Sequence, residues 1–291
     1  MGYVYSPQQV ERGEVATPEG FGIASEILEN GLRKLNQQGY VIGARVHGGP
    51  YHDNEPIVGS DMDVLSVILY FGVNRLLTDL YREVWRQTYI PLELVSYPRK
   101  NAEKGLHYAD QFFIDNVRRD NCIIIGDDPL TIIKEDTSVP IEAIIKKRMD
   151  REIQSLGKWR SGLEEAYDED HCKLLDCTIR WPIYVALDML RLKLGHTPIT
   201  REGKIIIKSE ICELYKEEFP EADTKNLFLI LGLRRRYRDM INHQPVNLKD
   251  YKDLLAEIDS SLDGAYSFIT ENDELVSKYI ERGALAWKEK D

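Results

Sequence analysis

Ser60-Asp61-Met62-Asp63-Val64-Leu65-Ser66-Val67-Ile68-Leu69-Tyr70 is the stretch on which the reading of this chain turns. Its apolar run predicts a strand over residues 62–70 with two acids at its mouth. Alternate side chains of a strand share a face, so Asp61 and Asp63 point the same way with Cα atoms roughly 7 Å apart. Two such charges repel unless a cation lies between them. Hard divalent ions such as Mg2+ take oxygen ligands of this kind, usually shared with substrate phosphates. A lone acidic pair is common in proteins; its neighbours give this one its meaning.

Upstream, Tyr40-Val41-Ile42-Gly43-Ala44-Arg45-Val46-His47-Gly48-Gly49 reads as a strand over 40–46 that breaks into a glycine-punctuated turn. Glycine lets backbone amides approach a ligand closely, and concave turns of this sort hold anions. Gly43, Ala44 and Arg45 are therefore candidates to contact phosphates; Arg45 could instead pair with a surface acid. Gly59-Ser60, directly before the acids, offers a further hydroxyl. Downstream, Ile90-Pro91-Leu92-Glu93-Leu94-Val95-Ser96-Tyr97 predicts a strand over 91–97 with Glu93 at its centre. A turn for anions, a paired carboxylate and a third carboxylate on a neighbouring strand could clamp a nucleoside triphosphate through one or two metals.

These motifs resemble the nucleotidyltransferase superfamily of DNA polymerase beta and the antibiotic nucleotidyltransferases. There a hydrophobic-Gly-Ser turn is followed by Asp-x-Asp/Glu on a strand and then by a third acidic strand. Gly43 to Gly49 followed by Ser60-Asp61-Met62-Asp63-Val64 is similar to the streptomycin/spectinomycin adenylyltransferase version, and Leu92-Glu93-Leu94-Val95-Ser96-Tyr97 to the third-carboxylate strand of kanamycin nucleotidyltransferase. Cys122-Ile123-Ile124-Ile125-Gly126-Asp127-Asp128-Pro129 resembles the strand and turn that close the catalytic domain, and Gly203-Lys204-Ile205-Ile206-Ile207-Lys208-Ser209-Glu210 a segment of the helical C-terminal domain. Two departures stand out. Ala44 occupies the place of the family serine, and Pro50 to Gly59 lengthen the interval before the acids.

The resemblance implies Mg2+ (or Mn2+) held by Asp61, Asp63 and Glu93, with ATP or another NTP as co-substrate. It implies an enzyme that moves AMP onto a hydroxyl of a small, aminoglycoside-like acceptor, with a possible role in antibiotic resistance. Gly43, Ala44, Arg45, Gly59, Ser60 and Lys204 would contact the nucleotide. Two other classes stay open: a toxin–antitoxin nucleotidyltransferase acting on protein or tRNA, and a non-catalytic nucleotide-binding homologue. Either a monomer or a homodimer fits.

At 291 residues, 43% of them hydrophobic and 30% charged, the chain has room for two soluble domains. The longest apolar run, near Val64 to Phe71, is too short for a bilayer, and the start lacks the basic-then-apolar pattern of a secretion signal. Four cysteines form no C-x-x-C pair or disulfide framework; His171, Cys172 and Cys177 lack the spacing of a zinc clip. A reduced, cytoplasmic protein is expected. The net charge of −11 argues against stable nucleic-acid binding, which rests on Lys and Arg neutralising phosphates. A cleft lined by acids would instead attract a cationic acceptor.

Residues 1–20 look like an extended lead-in. A helix is predicted over 24–38, another over 74–88, and a closing strand over 121–126, giving a small mixed sheet in an α/β (α+β) domain over 1–140. After Pro140 the pattern turns helical: 141–156, a long helix over 171–194 that Pro182 kinks or starts, and further helices between 208 and 288. An all-α bundle over 141–291 is the expected substrate-binding domain. Within it the acids from Glu164 to Asp170, or Glu152, could serve as general base, as could Glu93. Arg238-Asp239-x-x-x-His243 resembles the Arg-polar-x-x-x-His signature of HEPN ribonucleases, but a helix end favours cations through its dipole in any case.

Overall fold

The computed structural model describes residues 3–48, 62–104, 106–107, 122–136, 141–160, 169–194, 200–201, 204–205, 210–222, 224–243 and 245–288. The chain divides into two compact units, 1–138 with 238–246, and 139–237 with 247–291.

The first unit is built on a four-stranded sheet in the order β3-β2-β1-β5. Its members are β1 (Val41–Gly48), β2 (Met62–Ile68), β3 (Leu92–Pro98) and β5 (Ile123–Gly126). β1 runs antiparallel to both β2 and β5, while β2 and β3 are parallel, so the sheet is mixed. The parallel pair needs a crossover, and α3 (Asn74–Thr88) supplies it. Met62, Val64 and Ile68 of β2 and Ala44 and Val46 of β1 are buried. α2 (Pro18–Gln37) lies against α3, β1 and β5. At the α2–α3 crossing, Gly31 makes room for Leu80, whose methyl lies 2.5 Å from where a Cβ would stand.

The expected lead-in is not extended. Ser6 caps α1 (Pro7–Glu11) in a reciprocal box with Gln9, and Thr17 caps α2 through the Gly20 amide. Pro7 and Pro18 each take the first helical position, where a missing N–H costs nothing. Tyr5 pins the segment: its buried hydroxyl donates to the Tyr89 carbonyl (2.7 Å) and accepts from the Ala16 amide (3.3 Å). Rings of Tyr3, Tyr5, Trp85 and Tyr89 pack around it.

After α4 (Arg99–Ala102), a two-residue pairing joins β4 (Leu106–His107) to β6 (Glu135–Asp136) on either side of α5 (Pro129–Ile132).

The second unit is helical: α6 (Ile141–Arg160), α7 (Glu169–Thr178), α8 (Trp181–Leu194), α9 (Ile211–Glu218), α10 (Lys225–Asn242, of which residues 238–242 fall in the first unit), α11 (Leu248–Ser260) and α12 (Leu262–Lys288). One hairpin, β7 (Thr200–Arg201) with β8 (Lys204–Ile205), interrupts it. The predicted 171–194 helix is two helices, and Pro182 sits in the first turn of the second, where proline is tolerated. α12 packs along α6 and α8, with α9 against α8 and α11 against α7.

Candidate active site

The register of the central strands places the sequence-selected acids. Asp63 lies directly beside Glu93 across the parallel β2–β3 pair. Neighbours in register share a face, and strands stand about 4.8 Å apart. Both side chains are half-buried, so two carboxylates crowd together where neither is fully hydrated. Asp61, Gly59 and Ser60 lie outside the described residues.

The same face continues along the strands. Leu65, two residues past Asp63, packs with Val95, Tyr97, Leu130 and Ile133. The α5 segment thus covers the apolar continuation of the face that carries the acids. On β1, Arg45 pairs in register with Leu65 and His47 with Asp63.

Arg45 has a fixed partner. Its Nε donates to Asp128 Oδ1 and its Nη2 to Oδ2, both at 2.7 Å. Asp128 also caps α5 by accepting from the Leu130 amide at 3.0 Å. The Arg45 hydrogen bond holds the Asp128 carboxyl below its usual range, aided by the capping amide and opposed by burial. Of the two readings open for Arg45, pairing with an acid is the one realised, and the arrangement locks the turn after β5 onto β1.

The glycine turn needs correction. β1 does not end at residue 46; it runs through Gly48, which pairs with Met62. Gly43, Ala44 and Arg45 are interior to it, laddered to β2 on one side and β5 on the other, so their backbone is not a concave cradle. A Cβ on Gly43 would stand 1.7 Å from the Asp127 carbonyl oxygen, so the space beside this glycine is filled by protein. Gly43 permits the close approach of the β5 turn, helped by Gly126 at φ 68. Ala44 is buried between Ser66 and Ile125, which leaves no place there for a hydroxyl that touches phosphate. Gly48, which pairs with Met62, is the glycine of β1 that lies at the acid-bearing end of β2. Gly49 and the loop after it lie outside the described residues.

The remaining candidates fall in the second unit or at its margin. Lys204 sits in the β7–β8 hairpin. Glu152 is buried, not exposed as a base would be: burial pushes its carboxyl up to about 8, Asp188 adds to this, and Arg148, Arg151 and Arg180 oppose it. It belongs to an internal ionic group in which Arg191 meets Asp188 at 2.8 Å and Arg180 meets Asp176 at 2.8 Å. Glu164, Glu165 and Asp168 lie outside the described residues. His243 ends α10 with Nδ1 on the Asp239 carbonyl at 2.6 Å, a helix-terminal contact that accounts for the histidine of the ribonuclease-like pattern. The four cysteines are free. Burial pushes Cys177 up to about 12 and Cys212 to about 11, so neither is a ready thiolate.

Among the described residues no group of three or more His, Cys, Asp or Glu has metal-holding geometry, and no helix is long and apolar enough to cross a membrane. His47 was missed from sequence because it lay inside a presumed turn; reading β1 two residues further would have set it opposite Asp63.

No protein-family model matches the chain, and no curated protein is significantly similar to it. Solved structures do match. The crystal structure of spectinomycin adenyltransferase AAD(9) from Enterococcus faecialis with ATP and spectinomycin superposes with a TM-score of 0.51 at 14% identity, over 87% of this chain and 99% of that one. The shared fold is the α+β nucleotidyltransferase sheet followed by a helical part.

Proposed function

We propose that this chain is a metal-dependent nucleotidyltransferase that moves AMP from ATP onto a hydroxyl of a small acceptor. The observation that carries the reading is the register that sets Asp63 beside Glu93 on one face of the sheet, in a fold shared with an adenyltransferase. Two neighbouring, half-buried carboxylates repel and are stabilised by a hard cation, so the donor set suits Mg2+. Asp63 and Glu93, joined by Asp61 from its place in the sequence, would hold the ion. Once bound, it would neutralise charge building on the triphosphate.

The chain's own residues would do the rest by positioning. Gly48, at the end of β1 beside Met62, would open the turn that receives phosphates. Glu93 would either complete the ion's ligands or accept the acceptor's proton. An acceptor of the aminoglycoside class fits the chain's acidity, and the spectinomycin adenyltransferase of similar fold holds ATP and spectinomycin. Such an activity would operate in the cytoplasm and could confer antibiotic resistance.

The test is transfer of label from α-labelled ATP, with pyrophosphate release, in Mg2+ and a panel of aminoglycosides and aminocyclitols beside protein and tRNA. Label on a small acceptor is expected. Asp63→Asn should cut turnover about 1000-fold, the several kcal/mol of charge stabilisation that a bound metal supplies, while the melting temperature holds. Unchanged turnover in that variant would sink the assignment, and label on protein or tRNA would redirect it to those acceptors.

A further inference from the structure

We infer that His47 is a positioning residue for the acidic pair: its imidazole N–H holds one carboxylate oxygen of Asp63 and leaves the other aimed at the cation. The inference rests on the nucleotidyltransferase reading and deepens it.

Three observations carry it. First, the ladders place His47, Asp63 and Glu93 in a single row across β1, β2 and β3, with Asp63 in the middle. Side chains opposite one another in such a row share a face, with Cβ atoms about 5 Å apart, within reach of an imidazole–carboxylate hydrogen bond. Second, the histidine is 1% exposed while its neighbour is half-buried. A buried imidazole is costly unless it is hydrogen-bonded, and Asp63 is the acid the ladder sets directly opposite it; Nε2 makes no hydrogen bond, so the inferred donor is Nδ1. Third, the next polar residue on the same face of β1, Arg45, is committed to Asp128 by two 2.7 Å bonds. The two polar side chains of this face of β1 thus divide the work. Arg45 ties down the β5 turn, and His47 addresses the acids.

The device does not depend on the protonation state of the ring, because neutral imidazole and imidazolium both offer an N–H. What it supplies is direction. A carboxylate with one oxygen fixed cannot swing away from its neighbour, so the ligand set is ready before the ion arrives. Hydrogen bonds that orient metal ligands in this manner govern metal affinity by about 10- to 100-fold.

The experiment measures binding rather than turnover: Mn2+ titrated, with a non-hydrolysable ATP analogue, into the wild type and into His47→Leu, His47→Asn and His47→Gln, with free Mn2+ followed by electron paramagnetic resonance. His47→Leu should weaken Mn2+ binding by about 10- to 100-fold with its melting temperature within a few degrees of wild type. One of the amide variants, which keep an N–H near one ring-nitrogen position or the other, should recover most of the loss. Wild-type affinity in His47→Leu would overturn the inference, and so would equal losses in all three variants that track their melting temperatures. Pulsed resonance on the wild-type Mn2+ complex gives an independent check should the leucine variant fold poorly. Nitrogen coupling from a directly bonded imidazole would overturn the inference, since His47 would then be a ligand. Failure of the wild type to bind Mn2+ with the nucleotide would overturn the proposed function itself; binding that ignores His47 would overturn only the inference.

Discussion

The two units of this chain treat charge in opposite ways. In the sheet unit the carboxylates Asp63 and Glu93 stand half-buried on one face, beside each other in register. In the helical unit charge is enclosed: Asp188 is fully buried between Arg148 and Arg191, and Arg180 meets Asp176 beneath the surface. Like charges set side by side repel, and a bound cation would relieve that repulsion. Opposite charges sealed together offset part of each other's desolvation cost, so removing one partner leaves the other buried and is costly.

The largest effect is expected at Gly43, and it separates a structural role from a ligand-binding one. With the Asp127 carbonyl where a methyl would go, Gly43→Ala should cost about 3 kcal/mol of stability, read by urea denaturation. A phosphate-cradling glycine would give the opposite pattern, normal stability with weakened nucleotide binding. That outcome would break the contrast between a filled β1 interior and a ligand-facing β1 end.

How the sequence could be read, and where it could not, follows from the same residues. Asp63 and Glu93 were legible because a strand's period of two is strict, so an acid in an apolar run has one face to occupy. The α3 helix was legible for the equivalent reason at a period of 3.6. The end of β1 was not, because Gly43 reads locally as a breaker and only the approach of Asp127, 84 positions away in the chain, explains it. The first two helices are legible in principle: Ser6-Pro7 and Thr17-Pro18 are cap-plus-proline starts, though the proline and glycine content of residues 1–20 reads as extended chain. The enclosed ions of the helical unit were hidden, since nothing local distinguishes Asp188 or Glu152 from a solvated helix residue.

A second, smaller effect sharpens the comparison on the sheet side. Asp128 is held by Arg45 on the same sheet, so removing it should cost stability where removing Asp63 does not. Asp128→Ala should lose about 2 kcal/mol, less than a fully buried pair because the carboxylate keeps some water. Its folded value is depressed by Arg45, so its contribution is present above the ordinary carboxylate range and disappears as pH falls through that depressed value. Wild type and variant should therefore converge in urea melts as the pH falls from the ordinary carboxylate range through the depressed value. A constant gap down to that pH would mean that the cap on Leu130, not the ion pair, is what Asp128 contributes.

The smallest effect tests the enclosed charges and has the reverse sign. Burial holds the Glu152 carboxyl near 8 in the folded state, whereas an unfolded glutamate ionises near 4.3. Between those values the unfolded chain binds fewer protons than the folded one, so this group's effect is to lower stability as pH rises from about 4 to 8 and to level off above. Glu152→Gln removes the titration but keeps the shape of the neutral acid. It should match wild type near pH 4 and exceed it by of order 1 kcal/mol at pH 8. The gain falls short of what the whole shift implies, because glutamine also gives up the attraction of Arg148, Arg151 and Arg180 for the carboxylate. Thermal melts of the pair at the two pH values decide it. If glutamine is destabilising at pH 8, the carboxylate is ionised in the folded protein and matched by those arginines. Glu152 would then be one more sealed ion pair, and the contrast between the two units would be sharper than the neutral acid allows.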